Sequence, residues 1–171
     1  EIQTDASFPG EEARGTTGVV VRIGEQLVHW YTRRQETASL SNSEAEYIAA
    51  AEGAKDASWL RQVLEETKLR AKGQAISLRT DNDATQKLCQ NTSYRKRTRH
   101  LDIKYHYIRD QVNLGHLKVT GIPGKENMAD LMTKLMSTPC LKKWMDMIGI
   151  VEAKRLAAGE GVSGHTSRLG G

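Results

Sequence analysis

The sequence predicts an α/β fold in which a five-stranded mixed sheet has helices on both sides. Three strand-like segments open the chain with no helix between them, which is typical of an antiparallel meander. Two more strand-like segments then alternate with segments of helical period, which favours parallel strands joined by crossover helices. The 171 residues suffice for one such domain, and we expect it to span residues 1–150.

The first three strands are predicted from apolar and β-branched runs that are bounded by turn residues. They cover about residues 2–6, 18–23 and 27–32. Only a tight turn at Gly24 and Glu25 separates the second strand from the third, so we expect these two to form a hairpin.

A long helix is predicted to follow, from Ser41 to about Glu66. Ser41 and Glu44 have the spacing of a capping box, in which the serine caps the helix and the glutamate reaches back. Apolar residues such as Ala45 and Ile48 then recur at helical spacing, which predicts that one face of this helix is buried.

The rest of the domain alternates between the two periods. A fourth strand is predicted over residues 75–80 and a fifth over residues 117–122. Further helices are predicted over residues 84–90, 98–114, 126–135 and 139–148. The order of elements places one sheet between helical layers.

Two further expectations concern the core and the end of the chain. The three tryptophans lie in apolar stretches and are expected in the core: Trp30, Trp59 and Trp144. Residues 151–171 lack any apolar period, which predicts a disordered C-terminal tail.

The composition excludes several classes of protein. Cys89 and Cys140 are the two cysteines, and their wide separation matches neither a zinc site nor a disulfide framework, so a reducing compartment is expected. No apolar run approaches the roughly 20 residues that span a bilayer. We therefore expect an intracellular protein that is not secreted. The chain opens on Glu1 without a methionine, and we interpret it as a fragment of a longer protein or polyprotein.

Four acidic residues form the candidate catalytic and metal-binding site: Asp5, Glu46, Asp81 and Asp130. Asp5 and Asp81 end the first and fourth strands, and parallel pairing of these strands would bring both to one edge of the sheet. Each aspartate alone is compatible with ordinary turn chemistry. Together, close carboxylates repel one another without a cation, and hard divalent cations prefer oxygen ligands, so the set predicts a two-metal nuclease.

Glu44 competes with Glu46 for the place in this site. The two residues lie about 200° apart around a helix, so both cannot face one pair of metal ions. Because the capping box already uses Glu44, we choose Glu46 as the ligand.

Several segments resemble the ribonuclease H domain of copia-type LTR retrotransposon polyproteins, in the order that family has them. They are Ser41-Asn42-Ser43-Glu44-Ala45-Glu46-Tyr47-Ile48-Ala49, Ala57-Ser58-Trp59-Leu60-Arg61, Thr80-Asp81-Asn82, Arg97-Thr98-Arg99-His100-Leu101-Asp102-Ile103-Lys104-Tyr105-His106-Tyr107-Ile108-Arg109 and Asn127-Met128-Ala129-Asp130-Leu131-Met132-Thr133-Lys134. The resemblance covers most of residues 1–150 and implies a ribonuclease H-like fold.

The resemblance also implies an activity. The family's four metal-binding carboxylates fall on the acids chosen above, which implies hydrolysis of the RNA strand of RNA–DNA hybrids with two Mg²⁺ or Mn²⁺ ions. It further implies a covalently linked reverse transcriptase in the parent polyprotein and a location in a cytoplasmic particle or the nucleus. One feature departs from the family: residues 122–127 lack the mobile histidine that many relatives carry before the last aspartate. Because that histidine is associated with product release, its absence is expected to affect turnover rather than the hydrolysis itself.

Ten residues are candidates for binding the nucleic acid: Ser41, Asn42, Ser43, Asn82, Arg95, Lys96, Arg97, Arg99, His100 and Lys104. Backbone groups at a helix N-terminus bind phosphate, and basic side chains neutralise it. Simple helix capping and a solvated basic surface are the alternative interpretations.

Two other functions compete with this hypothesis. An integrase or resolvase-like nuclease would use the same fold with differently spaced acids, which the copia-like segments argue against. A non-catalytic domain that binds nucleic acid and supports a neighbouring reverse transcriptase would not need all four acids, and their presence favours the enzyme.

Overall fold

A computed structural model describes residues 1–10, 13–69, 73–90 and 99–148. The sheet has five strands, in the order β3-β2-β1-β4-β5. Their bounds are β1 Ile2–Ser7, β2 Thr16–Ile23, β3 Gln26–Arg34, β4 Ile76–Thr80 and β5 Leu117–Gly121. The first three strands pair antiparallel, whereas β4 pairs parallel with both β1 and β5. The predicted meander and the predicted parallel pairing of the first and fourth strands are both confirmed.

The helices connect these strands or follow them. They are α1 Asn42–Glu66, α2 Asp83–Gln90, α3 Arg99–Asn113, a one-turn α4 Asp130–Thr133 and α5 Thr138–Met147. None of the described helices is long and apolar enough to cross a membrane. The segment predicted as a disordered tail, residues 151–171, lies outside the described residues.

Helix α1 begins with the predicted capping box. The Ser41 hydroxyl accepts a hydrogen bond from the Glu44 N–H at 3.1 Å. The Glu44 carboxylate reaches back and accepts from the N–H of Leu40, one residue before the cap, at 2.9 Å. The N-terminus of α1 is therefore fixed by Glu44, which leaves Glu46 free to face another part of the molecule.

Helices cover both faces of the sheet, as predicted. On one face, α1 and α3 bury the larger core, which includes Tyr47, Leu60, Leu78 and Ile108. On the other face, residues around α4 and α5 pack against Val20 of β2. The sheet is therefore packed between two layers of helices.

The helix predicted over residues 126–135 is wrong. A 3₁₀ turn (Gly124–Glu126) and the short α4 stand in its place, separated by residues that bond to β1. Asn127 donates through Nδ2 to the carbonyl of Thr4 at 3.0 Å, and the N–H of Met128 donates to Oε1 of Gln3 at 2.7 Å. These bonds to a neighbouring strand replace the bonds that a continuous helix would need.

Two of the three tryptophans predicted in the core are not there. Trp144 is 5% exposed, whereas Trp30 is 52% and Trp59 is 55% exposed. Trp30 lies on β3, an edge strand, and lines an apolar groove of about 200 Å³ with Leu27 and Met145. Trp59 lies beside the buried Leu60 on α1, and two neighbours on a helix point about 100° apart.

Gly18 lets α4 approach the sheet closely. A Cβ at Gly18 would lie 2.6 Å from the Cβ of Met132 and 2.8 Å from the carbonyl oxygen of Ala129. The Thr32 hydroxyl of β3 also donates to the carbonyl of Met132 at 2.8 Å. Since α4 begins at Asp130, this close approach fixes the position of that carboxylate relative to the sheet.

We expect Gly18→Ala to destabilise the protein by about 1–3 kcal/mol, because the added methyl group overlaps atoms of α4 that cannot move independently. Gly121→Ala is the matched control in another strand. Its Cβ would meet the end of the Gln86 side chain at 3.0 Å, which can move away. Urea unfolding of both variants and the parent measures the difference, and equal losses at the two positions would contradict the close packing of α4.

Candidate metal centre

Three aspartates from distant parts of the sequence meet at one edge of the sheet. Asp5 lies on β1, Asp81 directly follows β4, and Asp130 is the first residue of α4. One carboxylate oxygen of each lies within 4.8 Å of the others. Asp5 is 1% exposed, and Asp81 and Asp130 are partly buried, so the cluster opens to solvent on one side.

Glu46 lies beside this cluster, on the second turn of α1. It is 4% exposed, and among the described residues its Oε2 has no hydrogen-bond partner. Burial, and then the charges of Asp5 and Asp81, raise the pKa of Glu46 to about 8, against an opposing hydrogen bond from the backbone of Ala6. The structure therefore separates Glu44, which caps the helix, from Glu46, which faces the aspartates.

The pKa of Asp5 is raised for the same reason as that of Glu46. Burial raises its pKa to about 6, with smaller contributions from the charges of Asp130 and Asp81. The hydroxyl of Thr133, which donates to Oδ2 of Asp5, and the ammonium of Lys134 act in the opposite direction. The folded protein thus holds buried carboxylates whose negative charge is incompletely balanced.

Two polar side chains that the sequence analysis did not single out hold the aspartates in place. Besides its bond to Thr4, Asn127 donates to Oδ1 of Asp81 at 3.4 Å, and its own Oδ1 accepts from the N–H of Ala129 at 3.2 Å. Gln3 fixes the same segment through Met128. Asn127 is fully buried, so one amide links β1, the end of β4 and the approach to α4.

Lys134 is the third polar residue that holds the aspartates in place and was not a sequence candidate. Its Nζ lies 2.7 Å from Oδ1 of Asp130 and 3.6 Å from Oδ1 of Asp5. The i,i+4 spacing of Asp130 and Lys134 was a signal that could have found this pair, since oppositely charged residues at that spacing meet on a helix. The second contact of Lys134 is with Asp5 on β1, which is distant in the sequence, so no local sequence pattern predicts it.

The donor set fits a divalent cation. It consists of carboxylate oxygens alone, which hard cations prefer. The buried Oε2 of Glu46 has no hydrogen-bond partner among the described residues, and burial, followed by the charges of the neighbouring aspartates, raises the pKa values of Glu46 and Asp5. A bound cation would supply both a partner and positive charge.

The predicted nucleic-acid-binding residues lie around two helix N-termini. Ser41, Asn42 and Ser43 form the start of α1, where Ser41 and Asn42 are exposed. Asn82 directly follows Asp81, and its Oδ1 caps α2 by accepting from the N–H of Thr85 at 2.9 Å. Helix capping, the alternative interpretation for the serines, is thus confirmed for Ser41, and Asn82 also caps a helix. Capping and contact with a phosphate are compatible.

The predicted basic residues are only partly within the described residues. Those outside are Arg95, Lys96 and Arg97. Arg99 and His100 are the first residues of α3. Lys104, further along α3, is partly buried and lines a polar cavity of about 60 Å³ with Arg33 and Lys55. Three basic residues line this cavity from outside α3, namely Arg33, Arg34 and Lys55, and none of them was among the sequence candidates.

Comparison with known proteins finds relatives among transposon polyproteins. The chain is 33% identical over 149 residues to the retrovirus-related Pol polyprotein from transposon TNT 1-94 of Nicotiana tabacum, an alignment that covers 86% of the chain and 11% of that protein. The chain spans about a tenth of the length of the curated relatives it matches. No family model matches the chain.

Solved structures show the same fold. The N-terminal RNase H domain of a Mycobacterium tuberculosis protein superimposes with a TM-score of 0.58 at 16% identity, covering 86% of the chain and 94% of that domain. LC11-RNase H1, solved in complex with an RNA/DNA hybrid, gives a TM-score of 0.57 at 19% identity and covers 77% of the chain and 91% of its own. The predicted ribonuclease H-like fold is confirmed.

The raised pKa values predict how the stability of the metal-free protein depends on pH. At pH values near their raised pKa values, Glu46 and Asp5 hold protons that the unfolded chain has already released. The folded state therefore loses stability as the pH rises from about 4 to about 8. Urea unfolding in EDTA across this range measures the slope.

Glu46→Gln should flatten the upper part of this dependence, from about pH 6 to about pH 8, because Asp5 has already titrated there and glutamine does not titrate. Glu44→Gln removes an acid from the same end of α1 and is the matched control, which should keep the parent's slope. A parent protein that becomes more stable in EDTA as the pH rises would contradict the burial of uncompensated carboxylates at this site.

Proposed function

We propose that the chain is a metal-dependent endonuclease that hydrolyses the RNA strand of RNA–DNA hybrids during reverse transcription, because it is similar to a segment of retrovirus-related Pol polyproteins of transposons and has the ribonuclease H fold. One observation carries the proposal: the oxygens of Asp5, Asp81 and Asp130 meet within 4.8 Å, with Glu46 buried beside them. A set of acids that served only to cap turns would have no reason to converge.

Asp5, Glu46, Asp81 and Asp130 would hold the cations, Mg²⁺ or Mn²⁺, with two ions in the site. When bound, the ions would supply Lewis-acid stabilisation of the charge on the attacking and leaving oxygens of a displacement at phosphorus. The 3₁₀ turn at Gly124–Glu126 reaches Asp81, since a Cβ at Gly124 would lie 3.1 Å from Asp81 Oδ2. That turn therefore borders the place where a phosphate would enter.

The chain's own residues would orient the ligands. The Asn127 amide restricts the rotation of Asp81, and the Thr133 hydroxyl occupies one oxygen of Asp5, leaving its other oxygen toward the cluster. Such partners behind the ligands fix their geometry before the substrate arrives.

We propose an RNA–DNA hybrid as the substrate, recognised by shape, phosphates and 2′-hydroxyls rather than by sequence. The complex of LC11-RNase H1 with an RNA/DNA hybrid supports this choice for a chain of the same fold. The start of α1, Asn82 and the basic residues from Arg95 to Lys104 would contact the backbone. The polyprotein relatives support a covalently linked reverse transcriptase as the partner and an intracellular location.

Replacing Asp81 with asparagine should reduce hydrolysis of a labelled RNA–DNA hybrid in Mg²⁺ by more than about a hundredfold, since even residues behind metal ligands contribute 10- to 100-fold. Glu46→Gln should do the same, whereas Glu44→Gln is the control that weakens only a helix cap. EDTA should abolish the parent's activity. Cleavage rates, hybrid binding and circular dichroism are measured together.

If both site variants bind the hybrid and fold as the parent does but do not cleave it, the proposed roles are supported. A parent that binds the hybrid but does not cleave it in Mg²⁺ or Mn²⁺ would favour the alternative, a non-catalytic domain that supports its polymerase. Equal losses in Glu44→Gln and Glu46→Gln would show that the helix face was assigned wrongly.

Replacing Arg95, Lys96, Arg97 and Arg99 together with alanine should weaken hybrid binding and flatten its dependence on salt. Each lost phosphate contact should reduce the slope of log affinity against log salt by roughly 0.7 to 0.9. The rate of cleavage of bound hybrid should change much less, because these residues are not proposed ligands. Titrations at several salt concentrations decide the matter, and an unchanged slope would identify the run as a solvated surface.

A further inference from the structure

We propose that Lys134 is a built-in counter-ion of the carboxylate cluster, which holds Asp5 and Asp130 together in the metal-free protein and must leave when a divalent cation binds. The proposal rests on the proposed function, since it concerns the same cluster. It makes Lys134 a positioning residue, which acts through the two aspartates and not on the substrate.

The contacts of Lys134 join two elements. Its ammonium lies 2.7 Å from Asp130 on its own helix and 3.6 Å from Asp5 on β1, and in both cases the nearest atom is Oδ1. Isolated ion pairs on a helix surface contribute little. Here, however, one partner is a side chain that is 1% exposed, so the ammonium balances a charge that water reaches poorly.

The backbone explains why Lys134 can reach both carboxylates. Lys134 ends α4 with an extended conformation, φ −122° and ψ 142°, so its side chain leaves the helix toward β1. The preceding residue, Thr133, donates to the other oxygen of Asp5. Two consecutive residues thus contact the two oxygens of one buried carboxylate, Thr133 by a hydrogen bond and Lys134 by an ion pair.

A divalent cation and the ammonium of Lys134 would compete for the same carboxylates. Both would be held by the carboxylates of Asp5 and Asp130, and like charges at such distances repel strongly where water is scarce. The Lys134 side chain is 48% exposed, so its ammonium can move into solvent when displaced. Lys134 would therefore weaken metal binding while stabilising the metal-free fold, and so set the concentration at which the site fills.

Mn²⁺ titration of the full chain by calorimetry tests this competition. Lys134→Met should bind Mn²⁺ at least about fivefold tighter than the parent, the low end of typical couplings between two ligands of one protein. In EDTA the same variant should unfold at a lower urea concentration. Lys134→Arg, which keeps the charge, should bind Mn²⁺ no tighter than the parent. A merely structural lysine would not produce tighter binding when removed.

Lys142→Met is the matched control, because Lys142 is exposed on α5 and forms no ion pair among the described residues. It should change the Mn²⁺ affinity by less than about twofold through screened long-range charge. Binding by Lys134→Met that equals or falls below the parent's would overturn the counter-ion role and leave the proposed nuclease standing. A parent that binds no Mn²⁺ would overturn both.

Discussion

Parallel pairing of β1 with β4 is the constraint on which the site depends. The two strands lie 69 residues apart between the end of β1 and the start of β4, yet their carboxyl ends meet because α1 crosses the sheet between them. Any strand ends paired in this way present their next residues at one edge. Here Asp5 lies on β1 level with the end of β4, which Asp81 directly follows, so the topology itself creates a concentration of negative charge.

Burying this negative charge costs free energy. Most of the cost is burial, which dominates the raised pKa values of Asp5 and Glu46, and repulsion between the acids adds to it. A fold keeps such an arrangement only where other interactions over-determine it. The capping box of α1, the Gln3 and Asn127 bonds and the core beneath α1 are those interactions.

Helix α4 supplies the remaining acid and also the means to tolerate it. The turn is only four residues long, so it depends on tertiary contacts rather than on its own helical propensity. Gly18 gives it room against the sheet, and Thr32 bonds to its backbone. With Asp130, Thr133 and Lys134 in five consecutive residues, the same segment brings a carboxylate, a hydrogen-bond donor and a cation to the edge of β1.

The sequence by itself determined the order of elements, the meander, the capping box and the choice of Asp5, Glu46, Asp81 and Asp130, because each rests on local period, turn chemistry or family motifs. Tertiary structure decided what those signals do not contain. Trp30 is exposed because its strand is an edge, and the helix expected over residues 126–135 is broken because Asn127 and Met128 bond to β1. The contact of Lys134 with Asp5 likewise exists only once β1 and α4 meet, since interactions across 129 positions of sequence depend on the folded backbone and not on local pattern.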